Sequence, residues 1–285
     1  MECVLITGGT EGLGKASALL LAAEGYRVFA GGRNAAKRAA LDTEAKQKNL
    51  PLQSLEMDVT DDASVDRAIG IIHEEAGPVD ILVNNAGIAL AAVIEEITLE
   101  DYRKQFETNL FGIVRVTQRV LPEMRARRRG RVINMSSVAG KMSSPVLGPY
   151  SSSKHAVEAM SDSLRIELLP FGVHVILIEP GYIKSDMERA AQELSSHYIA
   201  GAEKSPYAAV YAGFQRGWGN LTKDSKSKPE DCARVILGAI RANSPRARYP
   251  VTREAKIVTF LKRILTDRAL DRMTAKTYSV PRAAS

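Results

Sequence analysis

A tyrosine and a lysine four residues apart, Tyr150 and Lys154, open a helix-forming run over 151–168. That spacing places both side chains on one helix face, with Cβ atoms roughly 5–6 Å apart. A free tyrosine, with a pKa of about 10, is a poor proton donor or acceptor near neutrality. An ammonium one turn away favours the phenolate and draws that value toward working pH, which makes the pair a candidate general acid/base. Ser137 stands thirteen residues upstream of Tyr150. A phenol and a hydroxyl pointing at one oxygen form a two-donor oxyanion site. The spacing alone is weak, because Tyr and Lys stand four apart on many solvated helices. Its weight depends on the elements around it.

Those elements alternate. A β-branched run over 3–7 breaks into Gly8-Gly-Thr-Glu-Gly12-Leu-Gly14, followed by a helical pattern over 15–24 and a second strand over 25–30. Strand, glycine turn, helix and strand within about 30 residues make the βαβ unit of a dinucleotide fold. Gly8 and Gly12 would let the backbone turn tightly and approach a pyrophosphate, and Gly14 would let helix and strand pack closely. The phosphates would meet free N–H groups at the helix N-terminus. The spacing predicts further strands over 53–59, 81–84, 130–137 and 173–179. Between and after them it predicts helices over 63–76 (capped by Asp61), 98–121 (closed by Pro122, with Asn109 near the middle), 151–168, 229–242 and 255–265. This is an α/β chain: a doubly wound parallel sheet with helices on both faces, read as a single domain over 1–285. Ligands bind such sheets outside the carboxyl ends of the strands, where every polar signature here falls.

Composition sets bounds on function. Apolar residues make up 45% and charged residues 25% of the 285, as in an ordinary globular protein, and the net charge is a modest +6. The basic run Arg125-Ala-Arg-Arg-Arg129 lacks interleaved aromatics, so it reads as a solvated helix end rather than a nucleic-acid groove. His73, His155, His174 and His197 lack metal-ligand spacing, so no metal is expected. Cys3 and Cys232 form no spaced pair, and no leader-like or membrane-spanning apolar run is seen, which points to a cytoplasmic setting.

Together these residues resemble the short-chain dehydrogenase/reductase family, over about 4–185. The resemblance rests on Thr7-Gly8-x-x-x-Gly12-x-Gly14, Asp58-Val59, Asn84-Asn-Ala-Gly87, Asn109, Ser137, Tyr150-x-x-x-Lys154 and Pro180-Gly181. The glycine spacing is similar to that of the family's compact branch. The resemblance implies that Tyr150 is the general acid in reduction, or the base in the reverse reaction. It implies that Lys154 lowers the Tyr150 pKa and bonds the nicotinamide ribose. Ser137 would hold the substrate oxygen, preferred over the adjacent Ser136 by its spacing and by the following Val-Ala-Gly140. Asn109 would anchor a proton-relay water. A cofactor site is implied over Gly8, Thr10, Gly12, Leu13, Gly14, Arg33, Asp58, Val59, Asn85, Ala86, Gly87, Tyr150, Lys154, Pro180, Gly181, Ile183 and Ser185. The family often has Thr at the last position.

The residues favour NADP(H), with NAD(H) as the alternative. An NAD enzyme commonly ends its second strand in an acid; here Gly31-Gly32-Arg33 stand instead, and arginine suits a 2′-phosphate. Glu11, where NADP members often carry a basic residue, is the feature that supports NAD. The expected activity is hydride transfer between nicotinamide and a carbonyl or secondary alcohol on a lipophilic substrate. The rivals are an NAD-dependent alcohol dehydrogenase and a non-catalytic dinucleotide sensor. Lipophilicity is argued from Met142, Val146 and Leu147 and from the aromatic stretch 184–228, which reads both as helices covering the sheet edge and as a substrate lid. Helix 255–265 is basic and amphipathic; it could meet a membrane or partner, though a surface-packed helix is favoured. The extension 245–285 carries no readable motif. The family's habit of pairing through the helices of Asn109 and Tyr150 implies a homo-oligomer.

Overall fold

A computed structural model describes residues 1–223 and 225–281. Residue 224 of the expected lid and residues 282–285 of the expected extension lie outside the described residues. Seven strands form one wholly parallel sheet in the order β3-β2-β1-β4-β5-β6-β7. They are β1 Cys3–Thr7, β2 Arg27–Gly32, β3 Leu52–Glu56, β4 Ile81–Asn84, β5 Gly130–Met135, β6 Val173–Glu179 and β7 Arg248–Pro250. The helices between them are α1 Gly12–Ala23, α2 Ala35–Gln47, α3 Asp62–Ala76, α4 Leu99–Phe106, α5 Gly112–Ala126, α6 Gly148–Glu167, α7 Asp186–Ala200, α8 Ala208–Lys223 and α9 Pro229–Arg241. After β7 come α10 Arg253–Ile264 and α11 Asp267–Thr277.

Strand alternation sends successive side chains to opposite faces. Val4 and Ile6 join a core with Leu21 of α1, Leu41 of α2 and Ile236 of α9. Cys3 and Leu5 face the other way, onto Val65 and Ile72 of α3 and Val116 and Met124 of α5. Each fully buried aliphatic side chain contributes about 1.5–3 kcal/mol, and both cores run the width of the sheet. The order reverses between β1 and β4, so the crevice of this fold opens beyond Thr7 and Asn84.

Several boundaries differ from the sequence expectation. The second strand begins at Arg27, because Gly25 (φ +88°) forms the left-handed turn that ends α1. It runs on through Gly31 and Gly32, where an added Cβ would lie 2.8 Å from Met57 Sδ and 2.6 Å from Thr10. The third strand ends at Glu56, leaving Asp58 and Val59 in the following loop. Helix 98–121 is two helices joined by a π-helical turn over Glu107–Phe111, and Pro122 does not close it. Pro122 withholds one backbone N–H, but Val120 and Met124 stay buried on either side of it and carry the helix to Ala126. Helix α2 escaped the sequence reading because only Leu41 and Ala45 of its thirteen residues are buried. The arginine run is not simply solvated: Arg127 and Arg129 pair with the buried Asp80 at 2.6 and 3.2 Å.

Candidate active site

The crevice is built by two turns tied to each other. Asn85, just after β4, donates its side-chain amide to the carbonyls of Thr7 and Gly8 at 3.0 and 2.9 Å. Thr7 Oγ1 accepts from the backbone N–H groups of Asn85 and Ala86. Gly8 and Gly12 have φ of +61° and +52°. At Gly14 a Cβ would fall 2.1 Å from the Gly8 carbonyl oxygen, so only glycine lets α1 start here. Glu11 precedes α1 without a side-chain cap, and Ser185 precedes α7 likewise. An ideal Cβ on Gly12 would be 3.6 Å from Ser185 Cβ, so two helix starts without side-chain caps face each other. Orphan N–H groups at such starts suit an anion. A groove of about 800 Å³ lies elsewhere, by α4; another, of about 630 Å³, starts at Gly12 and Ser185 and runs outward along α1, with Lys15, Lys184 and Arg189 set among Glu44, Asp186 and Glu230. The residues therefore fit a dinucleotide pyrophosphate.

At the far end of β2, Arg33 is two-thirds exposed, with its guanidinium 3.7 Å from Asp58. Asp58 in turn accepts from the N–H and hydroxyl of Thr60. Arg38 of α2 donates to the carbonyls of Gly32 and Arg33 and fixes this corner. Lys37, whose N–H is capped by Asn34, ion-pairs with Glu11. Sequence reasoning missed Lys37 because α2 itself was not read; its position four residues beyond Arg33 was the available signal. Thr10 is buried against Gly32. The side chains of Leu13, Val59 and Ile183 face the core rather than the crevice, so only their backbones are open to a ligand.

Asn109, Ser137, Tyr150 and Lys154 converge at the carboxyl ends of β4, β5 and β6. Ser136 and Ser137 follow β5 in extended chain and point opposite ways. Ser136 Oγ lies under Gly140, where an added Cβ would meet it at 2.7 Å, and it has no hydrogen-bond partner among the described residues. Ser137 Oγ accepts from Ala139 N–H at 3.1 Å, lies 3.4 Å from the Pro180 carbonyl and neighbours the Tyr150 phenol. Tyr150 occupies the first turn of α6, half-buried, after Pro149. The preceding Val146 has φ +67°, a strained state for a β-branched residue. It is held by its buried side chain and by Ala92 N–H, which donates to its carbonyl at 2.8 Å.

Lys154 is buried one turn along α6, its Nζ 2.8 Å from the Met135 carbonyl and 5.8 Å from the Tyr150 ring centre. Asn109, fully buried in the π-helical turn, brackets Ile88 by accepting from its N–H and donating to its carbonyl. It also donates to Ser153 Oγ at 3.0 Å. A Cβ on Gly87 would lie 3.3 Å from Asn109 Oδ1 and 3.8 Å from Lys154 Nζ, so these two polar ends meet at one backbone position.

One expectation is corrected. Within the protein alone, Lys154 does not pull the phenol down. Burial pushes the Tyr150 pKa above its ordinary value, with the Ser137 hydroxyl offsetting part of the rise. The ammonium faces a carbonyl instead, and burial lowers the Lys154 pKa to about 8 against the opposing charge of Glu158. Glu158 belongs to a buried cluster that the sequence did not reveal. Lys141 pairs with both Glu158 and Glu179, and Arg248 reaches the same two at 3.0 and 3.4 Å. No metal-ligand group of three or more His, Cys, Asp or Glu occurs among the described residues.

A parallel sheet of this order with a glycine-rich first turn and this α6 defines a dinucleotide-linked oxidoreductase. The family model described as short chain dehydrogenase matches residues 2–195, and the chain belongs to that family. It is 36% identical over 282 residues, 97% of each chain, to an NADPH-dependent 3-dehydrocapnine reductase of Ornithobacterium rhinotracheale. Among solved structures it is similar to an actinorhodin polyketide ketoreductase variant with NADPH, at TM-score 0.76 and 30% identity, covering 88% of this chain and 95% of that one. A short chain dehydrogenase/reductase of Burkholderia phymatum in complex with NAD has a TM-score of 0.79 at 22% identity, covering 99% of this chain and 98% of that one; it bears on the fold alone.

Proposed function

We propose that this oxidoreductase is an NADP(H)-dependent reductase of a ketone or aldehyde, with Tyr150 as the proton donor. The observation that carries the reading is the convergence of Ser137, Tyr150 and Lys154 beside the uncapped glycine cradle. The dinucleotide, when bound, supplies the hydride. The Ser137 hydroxyl and Tyr150 phenol would hold the substrate oxygen from two sides. The phenol proton passes to that oxygen as the carbonyl carbon is reduced, and the phenolate left behind is balanced by the Lys154 ammonium one turn away. The phenol, which burial holds above its ordinary value, is in the protonated form that reduction needs. Asn109 and Lys154 would pass the replacement proton inward through Gly87's surroundings.

Two cations, Arg33 and Lys37, support NADP(H). The NAD reading drew on the charge of Glu11, and Lys37 compensates that charge. The NADPH-dependent relative agrees with this choice. The lid reading over 184–228 is supported where α7 and α8 bind the loop before α4: Ser195 accepts from Ala91 N–H, and Tyr211 accepts from Val93 N–H. Tyr211 and Phe214 are spent on a cluster with Val146 and Tyr278, against which Leu147 also packs, so a lipophilic substrate rests more on the half-buried Met142. A second copy would cover the exposed Phe111 of the π-helical turn and Ile166 of α6.

The test is Tyr150→Phe in a carbonyl panel followed by nicotinamide absorbance with NADPH and NADH. Turnover should fall by about 10²–10⁴-fold, with NADPH binding retained. Near-wild-type turnover would refute the acid assignment. Cofactor binding without turnover of any panel member would favour the sensor reading.

A further inference from the structure

We propose that α10 is a surface anchor that lies flat on a bilayer containing anionic phospholipid. Ile257, Phe260 and Ile264 are 47%, 60% and 60% exposed, on a helix that buries Ala255 and half-buries Val258 and Leu261. At 100° per residue these three fall within an arc of roughly 60°, on the side opposite Ala255. An apolar stripe turned away from the protein has no use in the fold.

Charge chooses the occupant. Arg253 lies at the N-terminal end of the stripe, and Lys256 and Arg263 lie along one flank. None of the three pairs with a carboxylate among the described residues, whereas Lys262 is engaged with Asp267 at 2.9 Å. The following helix adds Arg268, Arg272 and Lys276, an exposed row at every fourth position. Residues 253–281 hold seven basic side chains against three acidic ones, which is most of the chain's excess of +6. Apolar residues facing out with a basic border are the pattern of a helix that sinks into a headgroup layer. No helix among the described residues is long and apolar enough to cross a membrane.

The helix is rigidly placed. Thr252 caps its first turn by accepting from Ala255 N–H, and Thr252 Oγ1 lies 2.2 Å from where a Gly181 Cβ would be. The anchor therefore starts against the Pro180–Gly181 turn at the carboxyl edge of the sheet, the edge that holds Ser137 and Tyr150. Docking would bring that edge to the lipid, a route for an apolar carbonyl compound dissolved there. The docking stands on the exposed stripe of α10 and the basic residues of α10 and α11; only this route rests on the proposed reductase reading.

The full-length protein is sedimented with vesicles of phosphatidylcholine, with and without phosphatidylglycerol. Wild type should bind the anionic vesicles and be released by high salt. The double variant Phe260→Ser with Ile264→Ser should bind at least about tenfold more weakly. Lys256→Glu with Arg263→Glu should lose about fivefold or more per residue on anionic vesicles. Both should keep wild-type melting and wild-type turnover of a water-soluble ketone. No binding by wild type, or equal binding by the variants, overturns the proposal. So does a wild-type dimer that the serine variant splits without lipid, because a second copy then covers the stripe.

Discussion

Replacing Lys154 with methionine should stabilise the protein at neutral pH while removing its activity. Burial holds the Lys154 pKa at about 8, against an ordinary 10.5. Each tenfold change in proton affinity is about 1.4 kcal/mol, so keeping this ammonium buried costs the fold about 3 kcal/mol. Methionine has a similar reach and no charge. It would leave the Met135 carbonyl without its 2.8 Å donor, an offset of about 1 kcal/mol. The net gain is about 2 kcal/mol, or roughly 4 °C in Tm. The pH dependence separates this cause from better packing. An unfolded lysine keeps its proton up to its ordinary pKa, and the buried one only up to about 8. Wild type therefore recovers stability as pH rises from 8 toward 10.5, while the variant has nothing to recover. Urea melts without cofactor should show the full advantage at pH 7 and little of it at about pH 10.5. An advantage equal at both pH values, or a variant less stable at pH 7, would refute the burial argument.

Three further outcomes test the cofactor cradle. Arg33→Ala should weaken NADP binding by about 10–100-fold by calorimetry, the size of one charge-assisted hydrogen bond, and leave NAD binding unchanged. Lys37→Ala should cost NADP more than Arg33→Ala does, because it also uncovers Glu11; a smaller loss removes Lys37 from the site. Gly14→Ala would press a methyl to within 2.1 Å of the Gly8 carbonyl oxygen and 2.5 Å of Asn85 Nδ2. It should lose about 1–3 kcal/mol in thermal melts, with dinucleotide affinity falling alongside; a wild-type melt would show that the loop yields.

The sheet was legible because its signals are local. Apart from β3, which holds only Leu52 and Leu55 as apolar residues, each strand from β1 to β6 carries a short apolar run broken by glycine or polar residues at its end, and alternation between two cores follows from period two. What escaped notice lacked such periodicity. Helix α2 buries two of thirteen residues, and β7 is three half-buried residues, Arg248–Pro250, that form a strand only because β6 offers an edge. The extension also proved structural. Tyr278 is buried against Phe214, hydroxyl-bonded to Ser144, and its carbonyl lies 2.2 Å from where a Gly213 Cβ would be. No local pattern announces a contact made across more than sixty residues.

At the site the same division holds, and it has a physical reason. Ser136 and Ser137 could be told apart by spacing, and strand alternation then places only Ser137 beside Tyr150. The state of the phenol could not be read, because it depends on burial, which no pair of residues encodes. The four-residue spacing gave the correct neighbours and the wrong direction: Lys154 spends its charge on the Met135 carbonyl while desolvation raises Tyr150. The Glu158, Glu179, Lys141 and Arg248 cluster explains how a buried lysine is tolerated there. It sets carboxylate one turn beyond Lys154 and brings two further cations from the loop after β5 and from β7 to balance it. The ammonium is thus kept where it is costly, next to a phenol whose charge it can neutralise only after the proton has left. In the proposed reduction, that placement favours the charge-separated state, phenolate beside ammonium, at the expense of the resting fold.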